Sequence, residues 1–362
     1  MSATHADPKD STMSRPFNVA VAGATGAVGV EMLKMLEARN FPLKSLKLLA
    51  SSRSAGKKVP FKGETLVVEE LTEQSFKGVD IALFSAGAGI SKQFRQAVVD
   101  SGCVMVDNSS AFRMEEDVPL VVPEVNPEDV KWHKGVIANP NCTTIIMLVA
   151  MAPLHRAFGL KRLVASTYQS ASGAGAKGMN ELFDQLKALL ANGKDMSEIA
   201  ERFREVLARG EAPKAFVDPI AFNVFPHIDV FQPNGYSKEE MKMVNETRKM
   251  LHAPEILLSC TSVRVPVLRA HSESLNAEFE KPVTPDEARA ILAKAPGVTL
   301  VDDPASNRYP MPVDASGQGN VLVGRIRQDI SQSGNRGLDL FVAGDQLLKG
   351  AALNAVQIAE LL

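Results

Sequence analysis

The chain has 362 residues, of which 45% are hydrophobic and 23% are charged. This composition is that of a globular protein with about two domains, and it excludes a disordered or fibrous chain. The formal net charge of −2, from 40 basic and 42 acidic residues, gives no electrostatic footprint for nucleic acid or an anionic membrane. The longest nearly unbroken apolar run, residues 145–154, is well short of the roughly 20 residues that a membrane-spanning helix needs.

Cysteine usage and the first residues bear on location. The cysteines Cys103, Cys142 and Cys260 form neither a Cys-x-x-Cys pair nor a disulfide framework, which favours a reducing compartment. Residues 1–16 are polar, include acidic residues and lack an apolar core, so they fit neither a secretory signal nor a transit peptide. We expect a short disordered tail there and a cytoplasmic location.

Short apolar runs alternate with amphipathic helical patterns in the first half of the chain. Strands are predicted at residues 18–22, 46–50, 66–68, 81–84, 104–106 and 136–138, with helices at 28–39 and 91–99. Alternating strands and helices imply right-handed crossovers, and these build a mostly parallel sheet covered on both faces.

The pattern changes after about residue 142. Helices are predicted at 141–156, 179–190 and 196–209, and strands at 160–170, 257–268, 274–280 and 320–327. Ser237 with Glu240, and Thr284 with Glu287, have capping-box spacing and start two further helices, the first ending near Met250. The half-exposed alternation of the later strands favours a mixed or antiparallel sheet. A final apolar helix at 345–362 is expected to pack back on the first domain.

A glycine-rich turn, GATGAVG at 23–29, joins the first predicted strand to the first helix. Its glycines let backbone N–H groups approach a pyrophosphate at the helix N-terminus. The spacing is GxxGxxG and not GxGxxG, so the motif is weak by itself; a tight turn without a ligand is the alternative. Its place at the start of an alternating α/β region nevertheless predicts a Rossmann-like, doubly wound dinucleotide-binding domain.

The segment after the second strand, SSRSAGK at 51–57, indicates which dinucleotide is bound. An NAD site usually has a carboxylate there for the ribose hydroxyls, whereas this segment has hydroxyls around Arg53 and a lysine close behind. These groups suit a 2′-phosphate, so NADP is the predicted cofactor. A solvated polar loop is the alternative reading of the same residues.

Cys142 lies in NPNCTT at 139–144, at the start of the predicted apolar helix. A cysteine in the first turn of a helix lies near the positive end of the dipole and free N–H groups, so we expect a stabilised thiolate. The same N–H groups could hold an oxyanion on a substrate attached to the sulfur. Cys103 and Cys260 lie in or beside strands and are expected to be small buried residues.

Eight segments together resemble the aspartate-semialdehyde dehydrogenase family in its common bacterial type. They are GATGAVG (23–29), SSRSAGK (51–57), SAGAG (85–89), VDNSSAFR (106–113), NPNCTT (139–144), YQSASGAG (168–175), RVPVLRAHSE (264–273) and GAALNAVQIAE (350–360). The resemblance is colinear from about residue 17 to the C-terminus. A related reductase of N-acetyl-glutamyl phosphate would show NPGCY in place of NPNCT.

The resemblance implies reductive dephosphorylation of aspartyl-4-phosphate by NADPH to aspartate 4-semialdehyde, the branch point toward lysine, methionine and threonine. It makes Cys142 the nucleophile that forms a thioester, His271 the acid/base for the thiol and hemithioacetal protons, and Gln169 the residue that orients the acyl group. Five residues would bind substrate: Arg264 the α-carboxylate, Glu239 the α-ammonium, and Arg113, Lys242 and Asn141 the phosphate, with Asn108 a weaker candidate.

The resemblance also implies a set of cofactor contacts and an assembly. The expected cofactor residues are Gly23, Thr25, Gly26, Ala27, Val28, Ser51, Ser52, Arg53, Ser54, Ser85, Ala86, Gly87, Ser172, Gly173 and Gln346. The family often has Asn at the last of these positions. No metal ligand set is expected. The family forms a homodimer through its second half, and some members pair into tetramers. The expected domains are an NADP-binding unit, residues 17–141 plus 343–362, and an α+β catalytic and dimerisation unit, residues 142–342.

Some alternatives stay open at the level of sequence. Glu239 and Lys242 could form an ordinary i,i+3 surface pair, and Arg113 and Arg264 could be surface arginines. Arg264 and His271 are seven residues apart, which in one regular strand would place them on opposite faces; Pro266 between them could mark an irregularity. A dehydrogenase acting on another acyl phosphate or aldehyde, and a non-catalytic NADP-binding sensor, are the rival functions.

Overall fold

The computed structural model describes residues 15–190, 197, 198, 201, 203, 205 and 215–362. Residues 1–14 of the predicted tail, and most of the helix predicted at 196–209, lie outside the described residues. Two sheets with helices packed on them make up the fold, which confirms the predicted α/β class with a second, mixed-sheet unit.

The first sheet has seven strands in the order β3-β4-β2-β1-β5-β6-β7 and is parallel except for the pair β3–β4. Its strands are β1 (Phe17–Ala22), β2 (Leu43–Ala50), β3 (Lys58–Phe61), β4 (Glu64–Glu70), β5 (Ile81–Phe84), β6 (Val104–Asp107) and β7 (Val136–Ala138). Helices α1 (Ala27–Ala38) and α2 (Ala88–Asp100) follow β1 and β5. The sequence analysis did not predict β3, a short edge strand in which Pro60 weakens the strand pattern.

The second sheet has six strands in the order β11-β12-β13-β10-β8-β9, with β8–β9 and β11–β12 parallel and the other pairs antiparallel. Its strands are β8 (Leu160–Gln169), β9 (Leu257–Arg264), β10 (His271–Phe279), β11 (Val298–Leu300), β12 (Val321–Gln328) and β13 (Gly337–Gly344). The sequence analysis missed β11 and β13. It also ran β9 on to residue 268, which is wrong: the strand ends at Arg264, just before Pro266, which has no N–H for the ladder.

The helices that accompany the second sheet are α3 (Cys142–Phe158), α4 (Gly175–Leu190), α5 (Lys238–Met250), α6 (Pro285–Leu292) and the one-turn α7 (Pro312–Ala315). Both predicted capping boxes are present, at Ser237–Glu240 and Thr284–Glu287. Most of α3 is buried, and its apolar residues join the inner faces of both sheets in one continuous core. None of the helices in the described ranges has the length and hydrophobicity to span a membrane.

The C-terminal segment differs from the single helix predicted at 345–362. A π-helical turn, Leu348–Ala352, precedes a short helix α8 (Leu353–Ala359). The wide turn brings Gly350 against Cys142, an approach that a side chain at that position would block. Helix α8 packs on α1, β5 and β6, which confirms the expected return to the first half of the chain.

A buried lysine ties this segment down. Lys349 is fully buried, and its ammonium donates to the carboxylate of Glu124, to Asn354 Oδ1 at 2.8 Å and to Gln357 Oε1 at 2.7 Å. Burial lowers the pKa of Lys349, but the adjacent Glu124 carboxylate and two amide oxygens give the ammonium a complete set of acceptors.

We predict that Lys349→Met lowers the free energy of unfolding by about 3–5 kcal/mol, because it leaves Glu124 with a largely buried, unmatched charge. The double variant Lys349→Met/Glu124→Leu should recover part of the loss. Urea denaturation followed by circular dichroism measures both. A single variant as stable as the parent would show that this ion pair does not anchor the C-terminal segment.

Candidate active site

Cys142 is the first residue of α3 and is half-buried. Asn141 is the N-cap: its Oδ1 accepts from the backbone N–H groups of Thr143, at 3.1 Å, and Thr144, at 3.3 Å. Its Nδ2 donates to Glu239 Oε1 at 2.9 Å, so both ends of the side chain are engaged. The cap fixes the start of the helix and therefore the place of the sulfur.

One face of α5 lies against this helix start. Glu239, Lys242 and Glu246 follow one another at three- and four-residue intervals, so they share a face of the helix. Glu239 Oε2 accepts from Lys242 at 2.9 Å, and its Oε1 also accepts from Gln169 Nε2 at 3.4 Å. Glu239 is 5% exposed, which excludes the alternative of an ordinary surface pair with Lys242.

Glu246 was missed by the sequence analysis. Its carboxylate accepts from the backbone N–H of Asn141 at 2.6 Å and from Arg113 Nη1 at 3.1 Å, and its side chain is almost fully buried. The seven-residue spacing from Glu239 was the available signal. Burial raises the pKa of Glu246, and Arg113 opposes that rise.

Arg113, the ion-pair partner of Glu246, also donates from its Nη2 to the backbone oxygen of Asn108 at 3.0 Å. It is 8% exposed and therefore not a surface arginine. Its Nε has no hydrogen-bond partner among the described residues. A cavity of about 170 Å³ beside it is lined by Arg113, Lys242, Glu246, Ser110, Met114, Gln232, Lys238, Met241 and Asn245. Three of these are cationic, so the cavity suits an anion.

Arg264 and His271 come together because they belong to different strands. Arg264 ends β9 and His271 begins β10, so the seven-residue spacing does not place them on opposite faces of one strand. Both side chains bind Ser170. Arg264 Nη1 donates to the carbonyl oxygen of Ser170 at 2.7 Å, and the backbone N–H of Ser170 donates to His271 Nδ1 at 3.1 Å. A Cβ on Gly173 would lie 2.8 Å from Arg264 Nη1 and 3.1 Å from His271 Cε1.

The surroundings of the Cys142 thiol do not favour the thiolate that the sequence analysis expected. Burial, followed by the Glu239 carboxylate, raises the pKa of Cys142 to about 12. Arg113, Lys242 and the N–H of Thr143 oppose this rise without cancelling it. The expected stabilised thiolate is therefore wrong for the ligand-free site, because one buried carboxylate and desolvation outweigh the helix terminus.

The pKa values of Glu239 and His271 are also shifted by their surroundings, and the shifts define the charge of each side chain. Burial acts to raise the pKa of Glu239, but Lys242 and Asn141 outweigh it, so the carboxylate stays ionised. Burial, and then Arg264, lowers the pKa of His271 well below its usual value, so the imidazole is neutral at pH 7. The other two cysteines, Cys103 and Cys260, are buried as predicted, at 1% and 3% exposure.

The residues expected to hold the cofactor fall into two groups. Those from the turns after β1, β2 and β5 lie at the carboxyl ends of three adjacent parallel strands. Ser172, Gly173 and Gln346 lie on the other side of the site, beside His271. The carboxyl ends of parallel strands are where nucleotides bind in folds of this kind.

The first group has the features of a phosphate cradle. Gly23 has a φ of 86°, and a Cβ on it would lie 2.3 Å from the carbonyl oxygen of Ser85, so the two turns touch only because Gly23 has no side chain. The N-cap residues of α1 and α2 are Gly26 and Gly87, neither of which supplies a side-chain cap. The first N–H groups of both helices are thus open to a ligand. Arg53, after β2, is exposed.

The family comparisons agree with this division of the chain. The model described as "Semialdehyde dehydrogenase, NAD binding domain" matches residues 18–133, and the one described as "Semialdehyde dehydrogenase, dimerisation domain" matches residues 151–349. The fold and the site therefore define a dehydrogenase that acts on semialdehydes.

Curated relatives and solved structures narrow the family. The aspartate-semialdehyde dehydrogenase of Synechocystis is 54% identical over 97% of this chain and 98% of its own, and that of Bacillus subtilis is 50% identical over 96% and 98%. The structure of aspartate semialdehyde dehydrogenase II from Vibrio cholerae complexed with ASA is 44% identical, with a TM-score of 0.87 over 96% of this chain and 98% of its own. A Candida albicans enzyme with NADP is 25% identical, with a TM-score of 0.71 over 96% and 98%. The chain belongs to the aspartate-semialdehyde dehydrogenase family, a family of oxidoreductases.

We predict that Glu239→Gln increases the rate at which iodoacetamide alkylates Cys142 at pH 8, by several-fold, because the carboxylate is the charge that most raises the pKa of the thiol. Lys242→Met should have the opposite effect. In the parent protein the rate should still rise by about tenfold per pH unit above pH 8, since the pKa of the thiol is well above that range. Peptide mass spectrometry follows the modification.

Glu240→Gln is the matched control on the same helix, because Glu240 caps α5 and accepts from the N–H of Ser262 at 2.9 Å. It should leave alkylation of Cys142 unchanged. Equal rates in the Glu239→Gln variant and the parent would contradict the electrostatic role assigned to Glu239.

Proposed function

We propose that the protein catalyses the reversible, NADPH-dependent conversion of L-aspartyl-4-phosphate to L-aspartate 4-semialdehyde and phosphate through a thioester on Cys142. The observation that carries the proposal is the charge pattern around the sulfur. Glu239, whose carboxylate is ionised, lies with three cations, Arg113, Lys242 and Arg264, on elements that meet at the start of α3. The second carboxylate, Glu246, is paired with Arg113. A substrate with one ammonium and two anionic ends matches that pattern.

Each end of the substrate has a partner of opposite charge. Glu239 receives the α-ammonium, and the planar guanidinium of Arg264 pairs with the α-carboxylate through two parallel hydrogen bonds. Arg113 and Lys242, in the cationic cavity beside α5, receive the phosphate. Asn141 and Asn108 are the further phosphate candidates; Asn141 would have to exchange its bond to Glu239 for one to the ligand. The ASA complex of the Vibrio relative supports a substrate of this class.

The same binding activates the nucleophile. When the substrate ammonium pairs with Glu239, it offsets the charge that most raises the pKa of Cys142. The thiolate then attacks C4, and the bond to phosphate breaks to leave a thioester. The backbone N–H of Cys142 stabilises the negative charge that develops on the C4 oxygen, since the N–H groups of Thr143 and Thr144 already donate to Asn141. Gln169 orients the acyl group. His271 forms the hydrogen bond to the C4 oxygen and handles the hemithioacetal proton on that oxygen.

The cofactor residues are those of the two groups described above. The open helix starts at Gly26 and Gly87 receive the pyrophosphate, and Arg53 with Ser51, Ser52 and Ser54 receives a 2′-phosphate. Ser172, Gly173 and Gln346 border the nicotinamide end. When bound, NADPH supplies the hydride that reduces the thioester. The Candida relative with NADP supports this choice of cofactor.

The remaining parts of the proposal concern assembly and setting. The match to a dimerisation domain supports a homodimer, which could pair further into a tetramer. Tyr168, 38% exposed, and Phe341 pack together at 6.1 Å on the outward face of the second sheet and give it an apolar patch. We place the enzyme in the cytoplasm, in the biosynthesis of lysine, methionine and threonine. The NADP-binding unit would span residues 17–141 plus 343–362, and the catalytic and dimerisation unit 142–342.

We predict that Cys142→Ala abolishes phosphate-dependent reduction of NADP by aspartate semialdehyde, by at least about 10³-fold, while NADP still binds. Absorbance at the nicotinamide band measures the rate, and Cys103→Ala, a core substitution away from the site, is the control. Substantial turnover by Cys142→Ala would refute the covalent step. A parent enzyme that is active only with the next longer semialdehyde would favour the rival function of a glutamyl-phosphate reductase. A parent protein that binds NADP but has no turnover would favour a non-catalytic sensor.

We predict that Arg53→Ala raises the KM for NADP by at least about tenfold and leaves the KM for NAD nearly unchanged, because only NADP has a 2′-phosphate for the guanidinium. Lys44→Ala, exposed at the opposite end of β2, should change neither value. Steady-state kinetics with each cofactor test this. Equal effects on both cofactors would remove Arg53 from the 2′-phosphate site.

A further inference from the structure

A chain of buried hydrogen bonds ends at His271. Gln346 Nε2 donates to Ser172 Oγ, Ser172 Oγ lies 2.9 Å from Ser170 Oγ, and Ser170 Oγ lies 3.0 Å from His271 Nδ1. Each of these side chains is at most 3% exposed. The chain connects the imidazole to the C-terminal segment that packs on Cys142, because the Cβ of Gln346 is close to Gly350.

Two backbone N–H groups fix the orientation of the side chains at the two ends of the hydrogen-bond chain. At one end, Ala270 N donates to Gln346 Oε1 at 2.9 Å, so the amide oxygen faces Ala270 and the NH₂ group faces Ser172. At the other end, Ser170 N donates to His271 Nδ1 at 3.1 Å, so Nδ1 is an acceptor. Since Nδ1 carries no proton, Ser170 Oγ can meet it only as a second donor that shares its lone pair with the backbone N–H. Ser172 Oγ, which accepts from Gln346, keeps its proton for donation to Ser170 Oγ.

The far nitrogen of the ring, Nε2, has a different environment from Nδ1. With Nδ1 unprotonated, a neutral imidazole has its proton on Nε2. His271 Nε2 is buried and has no hydrogen-bond partner among the described residues. A Cβ on Gly173 would lie 3.2 Å from it, so the missing side chain leaves room for a ligand atom there. The imidazole is neutral at pH 7 because burial and Arg264 both disfavour its protonation.

We propose that Ser170, Ser172 and Gln346 are positioning residues that hold His271 as the Nε2–H tautomer before substrate binds, so that Nε2–H is available to donate a hydrogen bond to the C4 oxygen. This rests on the proposed function and restricts the acid/base role expected for His271. A neutral histidine used as an electrophile in this way is an established device for polarising a carbonyl group.

The reaction balances without a proton on Nδ1. Sulfur attacks C4, the carbonyl pair moves to oxygen under the Nε2–H group, and it returns as the C–O bond to phosphate breaks. The proton that leaves the thiol ends on the departing phosphate. Bound NADPH would supply the hydride for C4, and the oxygen would again take the carbonyl pair under the Nε2–H group. Collapse to the aldehyde then breaks the C–S bond, and the pair returns to sulfur, which is protonated from solvent.

The direct test is ¹⁵N NMR of the histidine-labelled full-length protein at pH 7, with His271 assigned by its loss in His271→Gln. We expect the chemical shifts of an unprotonated Nδ1 and a protonated Nε2, with the proton coupled to Nε2. An Nδ1–H tautomer or an imidazolium would overturn the proposal. The tautomer is measured in the parent protein, so the result does not depend on whether variants of Ser172 or Gln346 fold.

The second test breaks the chain. Ser172→Ala and Gln346→Met should each lower kcat in both directions by about three- to tenfold, the effect of losing one buried hydrogen bond, with little change in the KM for semialdehyde or phosphate. Ser272→Ala is the matched control: its buried hydroxyl is next to His271 in sequence but has no hydrogen-bond partner in the described part of the chain. It should leave kcat unchanged.

Different outcomes separate the two proposals. A parent enzyme that turns over aspartate semialdehyde but shows the Nδ1–H tautomer loses only the inference about His271. If Ser172→Ala and Gln346→Met lose thermal stability but keep the kcat of Ser272→Ala, the two residues have only a structural role. That result also overturns the inference about His271. Absence of turnover in the parent removes the proposed function, whichever tautomer the ring adopts.

Discussion

The contact on which the site depends is the docking of α5 against the first residue of α3. Asn141 is held from two directions, by Glu239 at its amide and by Glu246 at its backbone N–H, and both carboxylates are nearly buried. Buried carboxylates are costly unless they are paired, and here Lys242 and Arg113 pair with them. The helix that carries the proposed nucleophile, Cys142, therefore starts where the ion pairs of α5 hold Asn141.

This arrangement makes one set of charges serve both structure and chemistry. Lys242 pairs with Glu239 and Arg113 pairs with Glu246, while the raised pKa of Cys142 keeps its sulfur protonated. A substrate with an ammonium and two anions competes for the same partners and, by neutralising Glu239, favours the thiolate. Activation of the nucleophile is in this account a consequence of recognising the correct substrate, which limits reaction of the thiol with other electrophiles.

The sequence was informative where the physical signal is local. The capping box at Ser237 located α5 and so placed Glu239 and Lys242, and the alternation of strands and helices predicted the first sheet. Tertiary features carried no such signal: Gly350 is one small residue among several until the π-helical turn brings it against Cys142. The spacing of Arg264 and His271 was misleading because it was counted along one strand, whereas the chain leaves β9 and re-enters the sheet as β10.

The central claim, that Cys142 accepts an aspartyl group at this helix start, can be tested by trapping the acyl-enzyme. The protein is mixed with aspartate semialdehyde and NADP without phosphate, quenched in acid and digested for mass spectrometry. The account predicts an acyl group on the peptide that contains Cys142, absent from those of Cys103 and Cys260, and removed when phosphate is added before the quench. An unmodified Cys142 in a preparation that turns over when phosphate is present would contradict it.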